Sequence, residues 1–235
     1  ETADRIVVAT GPAQFTIDRK KFAFLDKVSL DADGDGKFSA DEAVLSGSPD
    51  FGSVIEDTYG EKCYSSEATR SVDVIDKGPM RVCVRARGAH KAREGKGYSR
   101  GMYFYDCFMT FYAGSTDVNV DFVLANNPAQ SIGAPTFEDA SLIMKLATSP
   151  AGFRLVGEKS AAPLTGQLKE KESVCLYQDS NGADTWQSCQ GYDGNDQDDG
   201  WNFPKDITTS FRGFRVYKRG AGDESVIGEG DHARA

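Results

Sequence analysis

Apolar and polar residues alternate with a period of two along much of the chain, and that period predicts strands. Arg5–Ala9 is a first expected strand, ended by Gly11-Pro12, and Gln14–Ile17 follows it. Phe22, Phe24, Val28 and Leu30 fall on even positions, interrupted by Asp26, so the segment Phe22–Leu30 is expected to be extended. Val72–Ile75 and Met80–Ala86 flank a Lys77-Gly78-Pro79 turn. In the second of these, Met80, Val82, Val84 and Ala86 alternate with Arg81, Cys83 and Arg85. The clearest hairpin joins Met102–Tyr112 to Asp117–Leu124 across Ala113-Gly114-Ser115. Val118, Val120, Phe122 and Leu124 share one face of its return strand; Asp117, Asn119 and Asp121 share the other. Ser141–Leu146, Phe153–Val156, Ser173–Tyr177 and Thr208–Tyr217 continue the pattern. No helical stripe of ten residues, fixed-period repeat or Pro/Ser-rich linker interrupts it. The expectation is an all-β protein, an antiparallel barrel or sandwich, with 1–235 as a single β domain.

One segment departs from the alternation. Asp31-Ala-Asp-Gly-Asp-Gly-Lys-Phe-Ser-Ala-Asp-Glu42 matches the twelve-residue calcium loop position by position. Asp31, Asp33 and Asp35 stand at ligand positions one, three and five. Gly36 stands at six, where the chain turns sharply. Lys37 at seven offers its backbone carbonyl, Ser39 at nine ligates through a water, and Glu42 at twelve closes the shell with both carboxylate oxygens. Clustered carboxylates repel one another without a cation, so the expected cofactor is Ca2+. The flanks differ from those of a sensor EF-hand. A period-two segment precedes the loop, and Ser39–Leu45 is expected to form a short helix capped by Ser39 and stopped by Gly47 and Pro49. A strand–calcium loop–short helix insertion suits a structural staple better than a switch.

Composition narrows the partners. The formal charge is −9, with 36 acidic against 27 basic residues, which argues against nucleic acid. Nothing approaches about 18 consecutive apolar residues, so no membrane span is expected. A local basic cluster, Arg85, Arg87, Lys91, Arg93 and Lys96, is expected to be a solvated hairpin, although such a cluster also suits an acidic sugar. A second acidic run, Asp193–Gly200, lacks the ligand order of the first and is expected to be a solvated loop. Trp186, Trp201 and Tyr192 flank it and are candidate sugar-stacking residues, since an aromatic face beside polar groups is how proteins hold carbohydrate. The five cysteines include no Cys-x-x-Cys pair, so zinc is not expected. Cys175 and Cys189 bracket a polar loop and are candidates for a disulfide.

No catalytic residue is assigned. Abstraction of a proton beside a uronate carboxylate needs a base and a cationic stabiliser. The chain has two histidines, His90 in the basic run and His232 near the end, and neither is expected to act as a base. No Gly-x-Ser-x-Gly, His-Glu-x-x-His or phosphate-loop motif occurs.

Several motifs in order resemble one family. Gly11-Pro-Ala-Gln-Phe-Thr-Ile-Asp18 followed by Phe22 and Leu30-Asp-Ala-Asp-Gly-Asp-Gly36 is similar to the start of the N-terminal β-barrel domain of exo-acting rhamnogalacturonan lyases and their bacterial relatives. Tyr112-Ala-Gly-Ser115, with Val118 and Phe122 after it, fits the same domain. Leu176-Tyr-Gln-Asp-Ser180, Trp186-Gln-Ser188 and Phe211-Arg-Gly-Phe-Arg-Val216 resemble its end. The resemblance implies a non-catalytic β domain that precedes an α/α toroid, where that family holds its catalytic groups. The chain is then expected to be the N-terminal part of a larger secreted or extracellular protein, the periplasm included, or a free-standing relative. Its implied partners are an acidic polysaccharide and a downstream catalytic domain of the same polypeptide. The alternative from another class is an extracellular calcium-stabilised structural or adhesive module, or a filament subunit, without enzymatic activity.

Overall fold

The computed structural model describes residues 2–47, 50–93, 101–126, 137–147, 152–156, 162–178, 211–220 and 222–230. They are almost entirely antiparallel β structure. Where the sequence treats 1–235 as one β domain, the chain gathers into two compact units, Glu1–Thr148 and Ser149–Ala235.

In the first unit, β1 (Arg5–Ala9), β2 (Ala13–Asp18), β3 (Lys27–Leu30) and β4 (Ala43–Ser46) form an antiparallel meander. A second sheet contains β5 (Gly52–Asp57), β6 (Lys62–Lys77), β7 (Arg81–Ala92), β8 (Tyr103–Tyr112), β9 (Val118–Asn126) and β10 (Phe137–Ile143). Its order is β10-β5-β6-β7-β8-β9. This sheet curls into a half-barrel. Val120, Phe122 and Leu124 of one edge strand line a single cavity with Ala140 and Leu142 of the other.

The apolar alternation decides which faces meet. Ile6, Val8, Phe15 and Ile17 from the meander pack against Val72, Val84, Ala86, Tyr105, Cys107, Met109 and Phe111 of the curled sheet. Phe15 and Phe111 meet with ring centroids 5.0 Å apart. Each such fully buried side chain contributes about 1.5–3 kcal/mol, which fixes register, because a one-residue slip would turn the whole apolar row outward.

Two expected elements around the acidic loop differ from the structure, and elsewhere the strands expected over Ser141–Leu146 and Thr208–Tyr217 are observed as Phe137–Ile143 and Phe214–Arg219, with 208–210 outside the described residues. The short helix after the acidic loop is absent. Residues 41–42 form a turn and Ala43–Ser46 continue as β4, pairing Ser29 with Ala43 and Val28 with Leu45. A helix of two turns nucleates poorly, whereas the strand gains a ladder and buries Leu45. The strand expected over Phe22–Leu30 begins only at Lys27. Phe24 adopts a left-handed φ of 68°, which puts both Phe22 and Phe24 into the core, stacked 5.3 Å apart. Core packing of two rings outweighs the strain of a non-glycine residue there, about 1 kcal/mol.

In the second unit, β11 (Gly152–Leu155) pairs with β12 (Leu164–Gln167). β13 (Ser173–Gln178), β14 (Phe214–Arg219) and β15 (Glu224–Gly230) form a three-stranded sheet. Among its described residues the buried side chains are few: Phe211, Phe214 and Val216. Arg215 covers the Phe211 ring at 4.2 Å. Among the described residues, no helix is long and apolar enough to cross a membrane.

Candidate metal centre

The acidic loop is the connection between β3 and β4, so it closes a β-hairpin instead of joining two helices. Its shoulders are pinned by backbone. Leu30 N–H donates to Glu42 O at 3.0 Å, and Asp31 N–H donates to Pro12 O at 3.0 Å. Gly34 and Gly36 reverse the chain with φ of 77° and 76°. No atom lies within 4 Å of where a Cβ would stand on either, so conformation and not space requires glycine.

Each aspartate orients itself on a later amide. Gly36 N–H donates to Asp31 Oδ2 at 3.1 Å, Asp35 N–H to Asp33 Oδ1 at 3.1 Å, and Lys37 N–H to Asp35 Oδ1 at 2.8 Å. One carboxylate oxygen from each of Asp31, Asp33 and Asp35 then lies within 4.8 Å of the others. Asp31 Oδ1 is buried and has no hydrogen-bond donor. An all-oxygen set with one shielded, unpartnered carboxylate oxygen fits a hard divalent cation.

Glu42 stands apart from that group. Its Oε1 accepts from Ala32 N–H at 2.7 Å, and its Oε2 accepts from Ser39 N–H at 2.8 Å. These amides, Ser39 foremost, hold its carboxyl below the usual range. Glu42 thus ties the two ends of the loop together. Ser39 Oγ lies 2.7 Å from Asp41 Oδ1 and 3.0 Å from Glu42 Oε2, and its hydroxyl holds the Asp41 carboxyl down as well. Sequence spacing alone did not mark Asp41. Lys37 extends its side chain into solvent, with Nζ 3.7 Å from Asp35 Oδ2.

No protein-family model and no curated protein matches this chain.

The other sequence candidates are scattered. Trp186, Trp201, Tyr192, the Asp193–Gly200 run, Cys189 and His232 lie outside the described residues. Cys175 carries a free thiol, as do Cys63, Cys83 and Cys107. Burial pushes Cys63 and Cys107 up to about 12, which makes them inert core groups. Of the basic cluster, Lys96 lies outside the described residues, and two of the others are engaged by carboxylates. Arg85 donates from Nε to Asp106 at 2.8 Å and lies over Phe108, while Arg93 pairs with Glu67 and Asp50.

His90 is the largest surprise. It is fully buried in β7 instead of lying in solvent. Its Nδ1 sits 3.2 Å from the Tyr103 carbonyl, which can only accept, so Nδ1 carries the proton. Nε2 is therefore the acceptor for the Ser53 hydroxyl at 2.9 Å. Burial lowers the imidazole pKa to about 4 and keeps it neutral at pH 7. The surrounding sequence, Gly88-Ala-His-Lys91, carried no apolar alternation to announce this.

Proposed function

We propose that this chain is a non-catalytic β module whose β3–β4 hairpin is stapled by Ca2+, and that it belongs to a secreted polysaccharide lyase-like protein, bracing a catalytic domain or helping to hold an acidic polysaccharide. The observation that carries the metal half is the convergence of Asp31, Asp33 and Asp35 within 4.8 Å on a loop turned by two left-handed glycines. The rhamnogalacturonan lyase-like half rests on the ordered motifs at Gly11–Gly36, Tyr112–Ser115 and Phe211–Val216 and on the all-β architecture that such a domain requires. Fold likeness carries no activity by itself.

Calorimetric titration of chelator-treated protein with Ca2+ tests the first half: one site is expected, abolished in Asp33→Ala. Incubation with rhamnogalacturonan, followed by unsaturated-uronide absorbance, tests the second: no signal is expected from this chain, while the polymer slows its migration in an affinity gel. Absence of a Ca2+ heat with a verified metal-free sample would overturn the staple. A rising absorbance would overturn the non-catalytic assignment.

A second reading, a structural or adhesive module, draws on the outer edges of β9 and β10, with which no strand pairs among the described residues. β9 and β10 carry Val120, Val123, Leu124, Leu142 and Ile143 in exposed positions, and unpaired edges invite strand addition from another chain. Concentration-dependent assembly in Ca2+ would favour it.

A further inference from the structure

We propose that the outer face of β6–β8 holds a carboxylate-binding cleft, built by Arg70 and Arg87, for a uronic acid residue of an acidic glycan. The proposal rests on the polysaccharide reading above only for the identity of the polymer.

The cleft is a cavity of about 460 Å³ lined by Arg70, Ser71, Arg87, Phe104 and Asp106, among others. Arg70 and Ser71 are consecutive, and consecutive residues of a regular strand point to opposite faces. Here the register shifts between Thr69, opposite Gly88, and Ser71, opposite Arg87, so Arg70 is the extra residue of a β-bulge. The bulge brings both neighbours to the same cavity, a common way to re-aim a side chain at a site.

The charges in the cleft are unbalanced. Asp106 stands opposite Arg87 in register, yet its carboxylate is gripped by Arg85, which holds its pKa down. Arg87 is left with a single contact of 3.4 Å to Ser71 Oγ. Arg70 lies over the Phe104 ring at 4.4 Å. Stacking fixes the plane of a guanidinium and leaves its N–H edge free, the geometry that suits a carboxylate. Among the described residues, neither Arg70 nor Arg87 makes an ion pair with a carboxylate, although the Arg87 charge adds to that of Arg85 in holding the Asp106 carboxyl down. Two cationic forks beside an aromatic ring match a sugar that carries one carboxylate and an apolar face. A densely charged polyanion fits less well, because exposed Asp73 and Asp121 stand on the same face, opposite Arg85 and Phe108, and the chain carries −9 overall.

The test is affinity electrophoresis of the full chain in Ca2+ through de-esterified polygalacturonate, its methyl ester and a neutral galactan. Arg70→Gln, Arg87→Gln and the control Lys27→Gln, exposed on β3, are run beside wild type, with melting curves to verify folding. Retardation only in the de-esterified polymer, weakened tenfold or more by either arginine variant and unchanged by the control, is expected. Retardation untouched in both arginine variants would overturn the cleft and leave the wider polysaccharide reading standing. Equal retardation by the methyl ester would overturn the carboxylate as the recognised group, and no retardation of wild type would overturn both.

Discussion

Ser53 Oγ donates to His90 Nε2 across 2.9 Å inside the curled sheet, between residues 37 positions apart in sequence. The bond needs a neutral imidazole, and burial supplies it by lowering the pKa from 6.5 to about 4. The folded state thus binds the proton more weakly than the unfolded chain. The stability that this group contributes is complete above pH 6.5, falls as pH drops from 6.5 to 4, and levels off below. The whole span is worth roughly 3 kcal/mol. Denaturant midpoints at pH 7.5, 5.5 and 4 should fall steeply for wild type. In His90→Gln they should start lower and fall less, since the buried imidazole with its lowered pKa no longer contributes.

Under the proposed Ca2+ staple, chelation should lower the melting temperature, because the oxygen cage is assembled only in the folded hairpin. At free Ca2+ about 100-fold above Kd the linkage is about 2.7 kcal/mol. Glu42→Ala should remove most of the difference between Ca2+ and EDTA melting curves, through the loss of both the ligand and the two amide ties to Ala32 and Ser39. A curve that EDTA leaves unmoved in a demonstrably metal-free sample would contradict the site.

Gly36→Ala should cost about 1 kcal/mol without any clash, since φ of 76° disfavours a Cβ while the space around it is open. Weaker Ca2+ binding should accompany it, as the Gly36 amide orients Asp31. Calorimetry and chemical denaturation separate the two effects.

Gly88→Ala should be worse and for another reason. A Cβ there would stand 2.5 Å from Ala68 O and 2.6 Å from Tyr105 Cζ. Tyr105 would have to move, losing its 3.1 Å bond to Ser65 O and its stack on Phe22. The expected loss is about 3 kcal/mol by denaturation.

Local signals were legible in the sequence, and long-range ones were not. β1, β2 and the β8–β9 hairpin follow from alternation because one face of each is buried. The acidic loop follows from spacing because its ligands are neighbours in sequence. β4 was hidden because Ser39-Ala-Asp-Glu42 reads as a helix cap, and the ladder that overrides it comes from β3. β5 was hidden because Gly52–Ile55 is buried on both faces and shows no alternation. The partners of His90 and the bulge at Arg70 depend on pairings between β5, β6, β7 and β8, which no local pattern encodes. Asp31, Asp33 and Asp35 converge where spacing placed them, while Glu42 braces the loop more than spacing suggested.

The free side of β4 is occupied by the last described residues of the first unit. Ser46 N–H donates to Lys145 O at 3.1 Å, Ala147 N–H donates to Val44 O at 3.0 Å, and Leu146 bridges to Leu45. Whatever loosens the hairpin therefore also unfastens this exit segment. Trypsin can cut after Lys145 only once that three-residue ladder lets go, so Ca2+ should slow the nick and EDTA should hasten it, making a protease ladder a remote gauge of ion occupancy.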